Sequence, residues 1–198
     1  IPLYRNNSKT EILRNVKASS FTMVNGSMKE TKLSAKEIFT EDYENGVLKK
    51  FTIPNVNVGS VIEYEYEFET PFFTMNFKPW EFQAPIPKVV SEYWATIPAN
   101  YRYNISLRGF LKLTKEDSEI IKGCFSVGGG VADCVRYRWT MENIPAFVEE
   151  DYMTSKKNFI SAIKFELTQI EYFDGRKDRV TKEWRDVDQE LRVHVRGR

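Results

Sequence analysis

Between Ile62 and Glu69 the chain separates its side chains by parity. Ile62, Tyr64, Tyr66 and Phe68 alternate with Glu63, Glu65, Glu67 and Glu69. A helix would scatter these residues around its circumference, whereas a strand sends successive side chains to opposite faces. The same alternation recurs in Tyr101, Tyr103, Ile105 and Leu107, in Val135-Arg-Tyr-Arg-Trp139, and in Ile163, Phe165 and Leu167. Asn25-Gly26 and Asn45-Gly46 sit between apolar-containing stretches and suit type I′ hairpin turns, and Asp174-Gly175 marks a third reversal. Ser34 and Glu37 fit a capping box ahead of a segment too short for a full helix. Many strands, frequent turns and 14% aromatic residues predict a mainly β chain, an antiparallel β-sandwich over residues 1–178.

One short helix is predicted in the remaining 179–198 tail. Thr181 can cap it, Glu183 suits its positive end, and Trp184, Val187 and Leu191 form a stripe that folds back on the sandwich or docks on a following domain.

Charge and reactive residues narrow the function. Lys plus Arg is 29 and Asp plus Glu is 28, so the net charge of +1 lacks the basic excess of a nucleic-acid binder. The longest uncharged stretch, Phe51–Ile62, is 12 residues, against the ~20 apolar residues of a membrane-spanning helix. The sole histidine, His194, lies in the tail and is expected to be solvated, which leaves no triad and no zinc set. No phosphate-cradling glycine motif occurs, and no catalytic residue, metal ligand or cofactor is assigned.

Cys124 and Cys134 flank Gly128-Gly129-Gly130. A hairpin centred on Gly129 would set the two sulfurs opposite each other, either as an oxidised staple of an exported protein or as two free thiols across a glycine loop. The glutamate row is expected to be a solvated face with Arg136 and Arg138 as cross-strand partners. Phe72, Phe73, Phe77, Trp80 and Phe82 crowd the segment Pro71–Pro87. Exposed, they would form a sugar-stacking or protein-docking patch; buried, they would close one end of the sandwich. Trp184 on the tail is the further docking candidate.

The string Phe51-Thr-Ile-Pro-Asn-Val-x-Val-Gly-Ser-Val-Ile-Glu-Tyr-x-Tyr66 resembles the signature of a domain of unknown function found mainly in Bacteroidetes. Pro71-Phe-Phe, Trp80-Glu-Phe-Gln83, Ile86-Pro87, Ser91-Glu92-Tyr93, Ile97-Pro98 and Glu142-Asn-Ile-Pro-Ala-Phe147 follow that pattern in order, and the resemblance runs from about Lys17 to Leu191. It implies a β-sandwich that precedes a transglutaminase-like core with a Cys-His-Asp thiol site, in exported or cell-envelope proteins. On that resemblance the chain is expected to be a trimmed piece, periplasmic, secreted or envelope-bound. It would not be an enzyme by itself, and its partner would be the downstream domain of the same polypeptide. Its role would be to position or present protein substrate; the alternative is a carbohydrate-binding module using Trp80 and the nearby Phe residues as a stacking platform.

Overall fold

The computed structural model describes residues 1–72 and 78–180, together with Arg192. The chain is mainly β and its sheets are antiparallel; the helical elements within residues 1–72 and 78–180 are two single 3-10 turns. It divides into two compact units, Ile1–Met75 and Asn76–Arg198. The helix and tail expected over 179–198 fall outside the described residues beyond position 180, apart from Arg192.

The first unit holds β1 (Pro2–Tyr4), β2 (Ile12–Val24), β3 (Ser27–Lys32), β4 (Ile38–Tyr43), β5 (Gly46–Phe51) and β6 (Val61–Glu69). They form two three-stranded sheets, β1-β5-β4 and β3-β2-β6. Asn25 and Gly26 close the β2–β3 hairpin with φ of 51° and 79°, as a type I′ turn requires. At the second predicted turn the pairing Tyr43↔Gly46 makes Glu44-Asn45 the two-residue loop, so Gly46 begins β5 instead of turning the chain. Glycine is needed there for a different reason. A Cβ at position 46 would collide with the Leu3 carbonyl of β1 and the Tyr43 ring. Ser34 and Glu37 do form the capping box, around a single 3-10 turn.

The alternation in β6 makes a strand, but not a half-buried one. Tyr64 is 62% exposed and Ile62 and Tyr66 are also exposed, while the buried positions of this sheet are Ala18 and Ser20 of β2. The expected partners of the glutamates are also corrected. Lys17 approaches Glu65 at 3.8 Å and Arg14 pairs with Glu69 at 3.0 Å, both from β2, because β6 lies against β2 and not against the strand carrying Arg136 and Arg138.

The second unit holds β7 (Trp80–Glu81), β8 (Lys88–Pro98), β9 (Tyr101–Arg108), β10 (Lys115–Val127), β11 (Gly130–Ile144), β12 (Ala162–Glu171) and β13 (Lys177–Arg179). One sheet runs β10-β11-β8. In the other, β12 carries β9 along one edge and both β7 and β13 on the opposite edge. Both sheets contribute to one apolar layer: Ala95 and Ile97 of β8, Trp139, Met141 and Ile144 of β11, and Ile163 of β12, with Phe82 enclosed and Tyr103 and Ile105 of β9 packed against it. Ile144 shares parity with the outward Glu142, yet it is buried. The left-handed backbone at Asn143, φ 52°, interrupts the alternation between them.

Cys124 and Cys134 are joined as a disulfide with their Cα atoms 5.8 Å apart. The hairpin differs from the expected one. Val127↔Gly130 makes Gly128-Gly129 the loop, which moves the axis off Gly129, and the register then breaks between Ile121 and Phe125. Three residues, 122–124, bulge against Asp133 alone, and this irregularity brings Cys124 within bonding reach of Cys134, whose register partner is Ile121. Asp133 holds the bulge. It accepts from Gly123 N–H at 2.9 Å and from Lys122 Nζ at 2.6 Å, and the lysine contact followed by the amide keeps its carboxyl below the usual range.

Candidate functional site

The two-residue strand β7 pairs Trp80 with Ile163 and so fixes Trp80 at the edge of the β12 sheet. Its indole N–H donates to Ser91 Oγ at 3.2 Å, and its ring stacks on Tyr93 at 5.4 Å and 19°. Tyr93 stacks in turn with Trp139 at 6.2 Å, and Trp139 with Tyr137 at 5.1 Å and 8°. Phe165 of β12 meets Tyr93 and Trp139 at 5.7 and 5.8 Å. This column runs from the buried Trp139 out to Trp80, which is 37% exposed. Burial raises the Tyr93 hydroxyl above its ordinary pKa, so this ring stays neutral within the column.

Beside β7 lies a hollow of about 350 Å³ lined by Pro79, Glu81, Ile160, Phe165 and two lysines, Lys157 and Lys164. Lys88 Nζ donates to the Glu81 carbonyl at 3.3 Å; burial lowers its pKa, against the opposing pull of the Glu81 charge. An exposed indole held on both its edge and its face suits a ligand that stacks on it.

Of the residues singled out by sequence, Trp80 alone meets these conditions. Phe82 is 0% exposed and is packed in the core, so it drops out of any partner surface. Phe72 belongs to the first unit, half-buried and edge-on to Tyr4 at 5.3 Å. Phe73, Phe77 and Trp184 lie outside the described residues.

A second cluster escapes a reading of the sequence. On the face of the β8–β11 sheet turned away from the core, Glu92 accepts from Trp94 Nε1 at 2.5 Å, from Arg138 Nε at 2.8 Å and from Thr140 Oγ1 at 2.8 Å. The Arg138 guanidinium stands 4.9 Å over the Trp94 ring. The signal is present as Glu92-x-Trp94 and Arg136-x-Arg138-x-Thr140, but only the register Trp94↔Arg138 joins them. Arg136 pairs separately with Glu119 at 3.1 Å.

Those donors, Trp94 first and Arg138 next, hold the Glu92 carboxyl down to about 2 from 4.5. A carboxyl lowered by folding adds stability that is complete above its unfolded value and disappears as pH falls through its folded value. We therefore expect the stability advantage of wild type over Glu92→Gln to be constant above about pH 4.5 and to shrink toward pH 2. Urea denaturation of both proteins across that range checks it, and a pH-independent difference would contradict the network.

Among the described residues no group of His, Cys, Asp and Glu is arranged to hold a metal ion, and no helix is long and apolar enough to cross a membrane. Comparison with protein families matches residues 4–148 to the family described as "Domain of Unknown Function with solved-structure structure (DUF3857)". That span starts and ends earlier than the Lys17–Leu191 stretch of the resemblance read from the residues. No curated protein and no solved structure matches the chain.

Proposed function

Because this chain belongs to the DUF3857 family of domains of unknown function, we propose that it is a non-catalytic accessory domain whose second unit, a two-layer sandwich, binds and orients protein substrate for a transglutaminase-like core in the same exported polypeptide. The observation that carries this reading is Trp80. Its indole is fixed by Ser91 and Tyr93 yet open to solvent. Such a platform contributes binding and orientation, with the bond chemistry supplied elsewhere. The disulfide supports an oxidising compartment such as the periplasm or the cell exterior.

The same indole favours one second reading, a carbohydrate-binding module in which a sugar ring stacks on Trp80. Titration of the purified chain with short unstructured peptides and with neutral oligosaccharides, followed by tryptophan fluorescence, separates the two. Saturable peptide binding that weakens about tenfold in Trp80→Ala, equivalent to ~1.4 kcal/mol, is the expected result. Saturation by an oligosaccharide alone, lost in the same variant, selects the carbohydrate reading. Turnover of a peptide or glycoside by the purified chain contradicts both.

A further inference from the structure

The tip of the β2–β3 hairpin in the first unit carries two methionines. Met23 and Met28 are register partners, 60% and 66% exposed. Ladder parity sets them close together. Leu33 N–H donates to Ala18 C=O at 2.8 Å, and antiparallel alternation from that bond to the closing pair Val24↔Ser27 makes Met23↔Met28 a non-hydrogen-bonded pair. Opposed side chains of such a pair leave the same face with their Cβ atoms about 4.5–5.5 Å apart. Three rotatable bonds in each side chain let the two sulfurs turn toward one point.

The chemistry of the tip selects what could sit at that point. A thioether is neutral and soft, has no proton to lose, and suits copper(I) rather than zinc, calcium or magnesium. Both cysteines of the chain are joined in the disulfide, Met141 is enclosed in the core of the second unit, and Met153 lies in the segment after β11. The hairpin tip is therefore the place among the described residues where two soft ligands oppose each other. By strand position the same face continues with Phe21 and Glu30, then with Ser19 and Lys32. Glu30 accepts from Ser19 Oγ at 2.8 Å and stands 3.8 Å from Lys32, so the lysine charge is answered and the charged residue nearest the pair on this face is a carboxylate. The loop at 52–60, which accepts from Ser20 and Thr22 of β2, contains no charged residue. No like charge on this side of the hairpin opposes the approach of a cation.

We propose that Met23 and Met28 hold one soft monovalent cation, copper(I), between their sulfurs at the hairpin tip. Each sulfur donates a lone pair and no bond of the protein breaks, so binding needs no oxidant and releases no proton. In an oxidising compartment, where thiols are consumed as disulfides, thioethers are the soft ligands that persist.

Silver(I), a soft ion of the same charge that is not readily oxidised, is the probe. Silver nitrate is titrated in chloride-free buffer into the purified chain with its methionine methyl groups labelled with carbon-13. Of the five methyl signals, those of Met23 and Met28 are expected to move together and to saturate at one silver per chain. The affinity is expected to be the same at about pH 5 and pH 7, since neither ligand takes up a proton in that range. Met23→Leu and Met28→Leu, close to methionine in volume, are each expected to weaken binding by about tenfold or more with unchanged circular dichroism. Either variant suffices if the other fails to fold. Zinc(II) is expected to leave both signals in place. Signals that stay still with silver, movement of one of the two alone, equal binding by both variants, an affinity that drops on acidification as a histidine site would, or a response to zinc(II) would overturn the proposal.

Discussion

Trp139→Ala is expected to destabilise the second unit by about 3–5 kcal/mol, the cost of deleting a large aromatic from a packed core. Trp139 is 2% exposed and its ring touches Tyr93, Tyr137 and Phe165 together. Its indole N–H also donates to Glu116 Oε1 at 3.0 Å, which ties the central strand to the charged edge. Truncation leaves a cavity between the sheets and an unpaired carboxylate oxygen. It also frees Tyr93, on which the position of Trp80 depends. Loss of this size is a large part of the ~5–15 kcal/mol that separates folded from unfolded domains. Urea denaturation gives the number, and near-ultraviolet circular dichroism reports the loss of the stacked column. Trp139→Phe, which keeps a ring in the layer, is expected to recover more than half of the loss. A change below about 1 kcal/mol for Trp139→Ala would mean that the column is not a packed core at all.

The second large effect is reduction of the disulfide. Cys134 is 3% exposed and lies on the central strand, while Cys124 sits in the irregular segment of β10. The bond closes a loop with a sequence separation of 10, and loops of about this size correspond to roughly 2–3 kcal/mol of lost chain entropy in the unfolded state. The bulge adds to its importance. Where three residues oppose one, ladder hydrogen bonds are missing, and the covalent link together with the Asp133 contacts holds the strands in their place. A dithiol reductant, or the double replacement of both cysteines by serine, is expected to lower the melting temperature by roughly 5–10 °C. The end of the hairpin should loosen first, with loss of the edge contact between Phe125 and Tyr101 at 6.1 Å. Identical melting with and without reductant would contradict a structural role for the bond.

Strand positions are legible in the residues because period-two alternation is a local property: the alternating stretches at 61–69, 101–107, 135–139 and 163–167 all fall in strands. Burial is not legible in the same way, since it depends on what another element lays over a face. Tyr64 and Trp139 look alike to a parity argument, yet Tyr64 is exposed while Trp139 is enclosed. Partner identity is hidden for the same reason. The glutamates of β6 meet Arg14 and Lys17, and Arg138 meets Glu92, because strand order decides who faces whom. A glycine signals a backbone need without stating which one, so Gly46 reads as a turn residue although it makes room for Leu3 and Tyr43. At the candidate site Trp80 can be singled out from composition, but its ties to Ser91 and Tyr93 come only from the folded chain.

Hydroxyl-radical footprinting of Trp80 tests the proposed role most directly. The oxidation rate of its indole is measured in this chain alone and in a longer polypeptide that continues into a transglutaminase-like domain, with the enclosed Trp139 as the slow internal standard. Docking of substrate or core on the Trp80 surface predicts a several-fold slower oxidation in the longer protein, with Trp139 unchanged. Equal rates for Trp80 in the two proteins would contradict it.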